Sequence, residues 1–479
     1  MVARTGGEYL NGLRNGRDLW VGAERVADPT EHPALSGAAR AVAAVFDLQH
    51  KEADTCLMPD PETGEAIAVS HMIPGSRDDI ARRHRALEKV AEFSVGLMGR
   101  TPDYVNVTFA GFAGRQDEWA MHGNERGADN LVSYQKQIAR RDLCLTHTIV
   151  HSTVDSSRGN APVGLDPVAV HKVADIAHGI LVRGSRVLAT LAPFADEIAV
   201  YPAGPMPNAD PRHAVAFSIP VNTPGLKFLC RDSVAVSGNV RDYPLSSRFD
   251  EQDAFVIFDD VEVPRDRVFI DANLQVYNSA AGTSRAANVM HHSMIRAQTK
   301  LDFAWGLASR MAEAINAGQP VAVQMLGEIA TFAELARAAI AAAEQGARDY
   351  GNGLWLPDAP PLFALRASLP SWFPRVNEII RLIGSHNLLT TPAAAQFCDP
   401  TLRPLLDAYL RGVGEIGAEE RARIFRLAWD FAGTALASRN EQYERFYLGS
   451  AARNLQGAHT RFDRTRANRL VDRFLDEQG

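Results

Sequence analysis

Along the first third of the chain, apolar positions recur every three to four residues, the spacing of a helix face turned to a core. ALSGAARAVAAVFDLQH (34–50) carries that pattern. SRDDIARRHRALEKVAEFSVGLMG (76–99) carries it too, with Ser76 and Asp79 as a capping pair and Gly99, before Pro102, as the stop. From about residue 141 the period shortens to two. LCLTHTIV, GILVRGSRVLATLA, EIAVYP, AVAFSIPV, LKFLC and AFVIFDDVEVP follow one another, separated by turn residues, as in an antiparallel barrel or sandwich. Long helical periodicity returns in KLDFAWGLASRMAEAINAG and EERARIFRLAWDFAGTALASRNEQYERF. The expected class is α+β: a mainly helical unit over 1–140, a β unit over 141–278 and a helical bundle over 279–479.

Composition changes this picture little. The 479 residues are 46% hydrophobic and 22% charged, as in an ordinary globular enzyme. A net charge of -7 points away from nucleic acid and anionic membranes. The opening MVARTGGEYLNGL lacks the apolar run of a signal peptide, and no segment reads as a bilayer span. Cys56, Cys144, Cys230 and Cys398 stand far apart, which argues against zinc or a disulfide framework and for a cytoplasmic protein. No G-x-G-x-x-G follows a strand, and there is no P-loop, H-E-x-x-H or G-x-S-x-G. His291 and His292 are adjacent, so on a helix they diverge and do not share a metal.

Three residues remain as candidate chemistry. In RDLCLTHTIVH, alternation places Leu143, Leu145, His147 and Ile149 on one face, with Thr146 and Thr148 on the other. An ionisable ring there is either a satisfied core histidine or a proton acceptor lining a pocket. Arg100 reads plainly as a cation at a helix C-terminus, favoured by the dipole, and Tyr104 as a half-buried ring with a wet hydroxyl. Each plain reading is sufficient for its residue alone.

Longer motifs add a resemblance. TGGEYLNGLRNGRDLWVGAERVADPTEHPAL (5–35), MGRTPDY (98–104), LTHTIV (145–150), VLATLAPFADE (187–197), YPLSSRFDEQDAFVIFDDVEVPRDRV (243–268) and RNEQYERFYLGS (439–450) occur in one order, almost end to end. In them the chain resembles the oxygenase component of two-component, reduced-flavin-dependent aromatic hydroxylases, the 4-hydroxyphenylacetate 3-monooxygenase family. The resemblance implies an acyl-CoA dehydrogenase-like fold with a middle antiparallel β-barrel, and a homotetramer or homodimer built through the C-terminal helices. It implies that Arg100, Tyr104 and His147 line a phenol pocket. It also implies that FAD, arriving as FADH2 from a separate NAD(P)H:flavin reductase, meets His147, Thr148, Ile149, Thr153, Val154, Asp155, Ser156, Thr190 and the tail Tyr447, Leu448, Gly449 and Ser450. O2 is the co-substrate.

The implied reaction is ortho-hydroxylation of a phenol: 4-hydroxyphenylacetate, a simple phenol or chlorophenol, or a tyrosine-derived unit, free or tethered to a carrier protein. His147 would accept the phenol proton, Arg100 would stabilise the resulting negative charge and Tyr104 would hold the ring. The missing nicotinamide fingerprint agrees with a separate reductase. The loop YPAGPMPNADPRH (201–213) would read the ring substituent, with Arg212 as a possible carboxylate partner. Two other readings compete. An acyl-CoA dehydrogenase-like flavin oxidoreductase would share the fold, but Ala452 stands where a Y-x-G-T-x-E carboxylate would fall. A non-catalytic flavin carrier would have no use for a phenol pocket.

Overall fold

The computed structural model describes residues 3–155, 157, 161–236, 239–280 and 284–476, the side chains of 284–287 excepted. Helices dominate both ends of the chain and strands the middle. The amphipathic run at 34–50 forms the helix Ser36–Lys51, and Ser76 caps the helix Arg77–Phe93 by accepting the Asp79 N–H at 3.1 Å.

The strand region is two sheets. In the six-stranded sheet the order is Glu24–Arg25, Asp18–Val21, Leu226–Cys230, Asp253–Pro264, Gly179–Thr190, His171–Ile176. In the four-stranded sheet it is Val268–Ile270, Ala216–Pro220, Glu197–Val200, Leu145–Thr148. Among the described residues no ladder closes these into one barrel, so the α+β class holds while the expected middle antiparallel β-barrel is not confirmed. Two pairings are parallel: Asp18–Val21 with Leu226–Cys230, and Leu145–Thr148 with Glu197–Val200. The first draws an N-terminal segment into the middle sheet. Alternation in a strand reports which face is buried, not which neighbour it pairs with.

The helix Pro102–Gly114 lies between the four-stranded sheet and the C-terminal helices. Phe109 and Phe112 pack edge-to-face on Tyr134, Trp119 and Tyr201, with centroids 4.7–6.2 Å apart. Its other side meets the helix Ser284–Ala314, where Asn288 Nδ2 donates to Val107 O at 2.7 Å. Twelve of its residues are buried, so its side chains face protein on every side. No helix among the described residues is long and apolar enough to cross a membrane.

Candidate active site

The helix expected to run to Gly99 stops at Phe93. Val95 (φ 48°) and Gly96 (φ 70°) then turn the chain through the left-handed region, and a Cβ on Gly96 would lie 2.5 Å from Arg296 O. The next helix begins at Pro102, so Arg100 precedes an N-terminus instead of following a C-terminus. The macrodipole there opposes a cation, which overturns the plain reading of Arg100. Arg100 as a whole is also only 7% exposed, so its charge must be held by specific partners.

Those partners come from distant parts of the chain. Arg100 Nε donates to His147 Nε2 at 3.2 Å, and Nη1 donates to Tyr443 Oη at 2.6 Å and Gly99 O at 2.9 Å. The guanidinium carbon lies 4.0 Å from the centroid of the Tyr104 ring. Glu251 Oε1 accepts the Arg100 backbone N–H at 2.6 Å. Burial alone would lower the guanidinium pKa, but Tyr104, Tyr443, Glu251 and Tyr447 outweigh it and hold the charge more firmly than usual.

His147 sits on a strand buried at all four positions. Thr146 and Thr148 leave on the opposite side, donating to Thr190 O at 2.6 Å and Leu188 O at 2.9 Å. These bonds lock the strand against the six-stranded sheet and leave His147 on the face toward Arg100. Its Nδ1 is hydrogen-bonded to the Tyr201 hydroxyl. An arginine N–H can only donate, so Nε2 offers its lone pair and the ring proton belongs on Nδ1, toward Tyr201. The His147 ring meets Tyr104 and Tyr201 edge-on, both at 5.3 Å.

Tyr104 is 3% exposed, not half-buried, and its other side packs against His292 at 5.2 Å. His292 bonds Asp103 at 3.2 Å, whereas His291 bonds Glu344 at 2.7 Å, so the adjacent pair does diverge. His84 joins His291 and Glu344, with ligand-type atoms within 4.8 Å of one another. Glu344 accepts from both rings, a hydrogen-bonded cluster that no local spacing foreshadows.

The expected flavin contacts divide. The Thr190 hydroxyl donates to Asp253 Oδ1 at 2.7 Å. The Tyr447 ring lies 5.4 Å from the Arg100 guanidinium, and its hydroxyl accepts from Arg296 at 2.9 Å. Leu448 is buried, Gly449 takes φ 93° and Ser450 caps the helix Ala451–Arg461. Ile149 is half-buried, and Thr153 lies on the loop that follows. There Val154 is 83% exposed and Asp155 accepts from Ser157, whereas Ser156 lies outside the described residues.

Beside Ile149, two buried side chains that reach Ile149 O and Tyr277 keep other nitrogens unbonded among the described residues. His151 Nδ1 and Arg186 Nε and Nη2 have no hydrogen-bond partner among the described residues, although Arg186 is fully buried. Burial pushes Arg186 down; burial, then Arg186 and His213, pushes His151 down to about 2. An acceptor-rich group would satisfy them. The carbonyls and phosphates of a flavin dinucleotide are such acceptors, so this segment fits FAD.

Sequence reasoning missed Tyr201, Glu251 and Tyr443. All three lie inside segments already singled out, but nothing local marks them, because their role comes from meeting Arg100 or His147. Arg212 is turned to its own loop, bonding both Asp210 oxygens at 2.9 Å, and is not a free partner for a substrate carboxylate.

Residues 5–270 match the family model described as 4-hydroxyphenylacetate 3-hydroxylase N terminal, and 277–476 match the one described as 4-hydroxyphenylacetate 3-hydroxylase C terminal. The chain is 36% identical to the 4-hydroxyphenylacetate 3-monooxygenase oxygenase component of Thermus thermophilus, covering 99% of this chain and 98% of that one. It is 32% identical to a Streptomyces globisporus (3S)-3-amino-3-(3-chloro-4-hydroxyphenyl)propanoyl-[peptidyl-carrier protein] monooxygenase, over 93% of this chain and 85% of that one. The crystal structure of the oxygenase component of 4-hydroxyphenylacetate 3-monooxygenase complexed with FAD superposes with a TM-score of 0.93 at 34% identity, covering 99% of each chain.

Proposed function

Because the chain belongs to the 4-hydroxyphenylacetate 3-hydroxylase family, we propose that the Arg100–Tyr104–His147 cluster is where it binds and activates a phenol. The protein is a flavin-dependent aromatic monooxygenase, the oxygenase component of a two-component system, with FAD as cofactor and O2 as co-substrate. The observation that carries the site assignment is the buried pairing of an obligate cation, Arg100, with the lone pair of His147 Nε2.

When bound, FADH2 together with O2 supplies an electrophilic oxygen. The protein makes the phenol nucleophilic. Its hydroxyl takes the place of the Arg100 N–H at His147 Nε2, and the phenol proton moves to that nitrogen. Tyr201 holds the Nδ1 proton and fixes the ring orientation. Arg100 keeps Tyr443 and Gly99 O as partners and turns its charge toward the developing phenolate. Tyr104 presents its ring edge to His147 and bounds the space the phenol must enter. The buried donors at His151 and Arg186, with Thr190 and the segment Tyr447–Ser450, would hold the cofactor. Burial of the whole cluster keeps water from the oxygen-transfer step.

A separate reductase supplies the FADH2, in keeping with an oxygenase component. The substrate belongs to the para-substituted phenols, because the named substrates of both relatives do. A carrier-tethered substrate is the finer reading suggested by the Streptomyces protein. A cytoplasmic homotetramer or homodimer with an acyl-CoA dehydrogenase-like helical assembly completes the proposal. The test is His147→Ala, given FADH2, O2 and 4-hydroxyphenylacetate. Hydroxylation should fall on the order of 10²-fold or more, with FADH2 oxidation continuing and its electrons appearing as hydrogen peroxide. Full coupling in that variant would refute the role of His147.

A further inference from the structure

Arg100 must give up one of its bonds when a phenol takes His147, so what retains it then decides where its charge points. We infer that Tyr443, on the helix Ala435–Phe446, is a positioning residue that holds the Arg100 guanidinium against the phenol site, and that Arg439 anchors it there. The inference rests on the proposed role of Arg100 and goes beyond it.

Tyr443 meets the turn before Pro102 at two points. Its hydroxyl accepts from Arg100 Nη1 at 2.6 Å. The same hydroxyl packs so closely on Gly99 that a Cβ there would lie 2.1 Å from it. Position 99 therefore has no room for a side chain while Tyr443 occupies its place. The ring cannot drift either. It stacks on Tyr447 with centroids 4.5 Å apart and planes 11° from parallel, and the Arg439 guanidinium lies 4.6 Å from its centroid.

Arg439 is itself fixed from two sides. Nη1 donates to Glu251 Oε2 at 2.9 Å, while Nε and Nη2 donate to Asp253 at 2.9 and 2.7 Å. Glu251 uses its other oxygen for the Arg100 backbone, and Asp253 accepts the Thr190 hydroxyl. One arginine on the C-terminal bundle thus sets the height of Tyr443, the backbone of Arg100 and the threonine expected at the flavin. Burial opposes ionisation of Asp253, but Arg439 and Arg231 outweigh it and keep its carboxylate well below the usual range. A fixed clamp of this kind orients one side chain without contacting the reacting atoms.

Tyr443→Phe removes the hydroxyl and keeps the ring and its stacking. The variant is compared with wild type, Arg100→Lys and the double variant, using FADH2, O2 and 4-hydroxyphenylacetate, with catechol and hydrogen peroxide both counted. Hydroxylation per FADH2 should fall about tenfold in Tyr443→Phe, the weight of one hydrogen bond to a charged group. FADH2 binding should be unchanged, and the acid limb of the hydroxylation profile should move to higher pH, since a wandering cation favours phenolate less. In the Arg100→Lys background the second change should add nothing, because Tyr443 acts through Arg100. Wild-type coupling in Tyr443→Phe alongside a deficient Arg100→Lys overturns the inference and leaves the site reading standing. Full coupling in both variants overturns the site reading and the inference with it. An additional loss in the double variant shows that Tyr443 acts directly, which also overturns the inference.

Discussion

Lowering the pH from 7 to 5 should weaken this fold sharply, and one residue can be used to show why. Burial holds three histidines in the neutral form: His71 down to about 3, His151 to about 2 and His291 to about 4. Unfolding releases each to an ordinary value near 6.5, so below that pH the unfolded chain takes up protons that the folded chain refuses. The stability each contributes is therefore complete above about pH 6.5 and is lost as pH falls toward the folded value. At pH 5 the loss is about 1.5 pKa units times 1.36 kcal/mol, or roughly 2 kcal/mol per histidine. Three such groups give roughly 6 kcal/mol, comparable with the whole stability of many proteins. Carboxylates held below their ordinary range do not compete in this window, whereas Asp142 and Asp302, pushed up by burial, act in the opposite sense. Glu344, opposed by burial but held down to about 2 by His291 and His84, stays ionised in both states until pH drops below about 4.5. It then adds to the loss. His71 is the cleanest probe, because burial is the sole cause of its shift and neither ring nitrogen has a hydrogen-bond partner among the described residues. His71→Leu should match or exceed wild-type stability at pH 7 and should lose roughly 2 kcal/mol less between pH 7 and 5. Urea unfolding of both proteins at pH 7, 6 and 5, at one protein concentration, measures the difference. Parallel pH dependences would refute the reasoning.

Two further substitutions test the site from its edges, beside the His147→Ala and Tyr443→Phe experiments. Gly99→Ala places a methyl 2.1 Å from Tyr443 Oη, so the turn or the tyrosine must shift; hydroxylation should drop at least tenfold and stability by about 1–3 kcal/mol, read from product yield and urea midpoint. Wild-type values for both would mean that the close packing at Gly99 is not essential. Tyr201→Phe leaves the buried Nδ1 proton of His147 without its acceptor at a cost of about 1–3 kcal/mol. Peroxide release should rise with it, and unchanged coupling would show that the Tyr201 hydroxyl does not orient His147.

Much of the local structure was legible in the amino-acid order. Periods of 3.6 and 2 placed the helices Ser36–Lys51 and Arg77–Phe93 and the strands Gly179–Thr190 and Asp253–Pro264, because each periodicity follows from the backbone geometry that produces it. MGRTPDY and LTHTIV marked Arg100, Tyr104 and His147, and the end-to-end order of motifs identified the family. What the order left open concerns partners. Alternation could not separate one barrel from two sheets, nor a parallel neighbour from an antiparallel one, since every such pairing buries the same face. Gly99 and Pro102 read as the end of one helix, yet the left-handed turn at Val95 and Gly96 makes them the approach to the next. That reversal changes Arg100 from a charge welcomed by a dipole to one opposed by it. Only tertiary structure could then supply what holds it: Glu251 lies 151 residues away in sequence and Tyr443 lies 343. Neither residue has a local reason to be where it is. A buried charge is stabilised by the groups that close around it, and those groups are chosen by packing across the whole molecule.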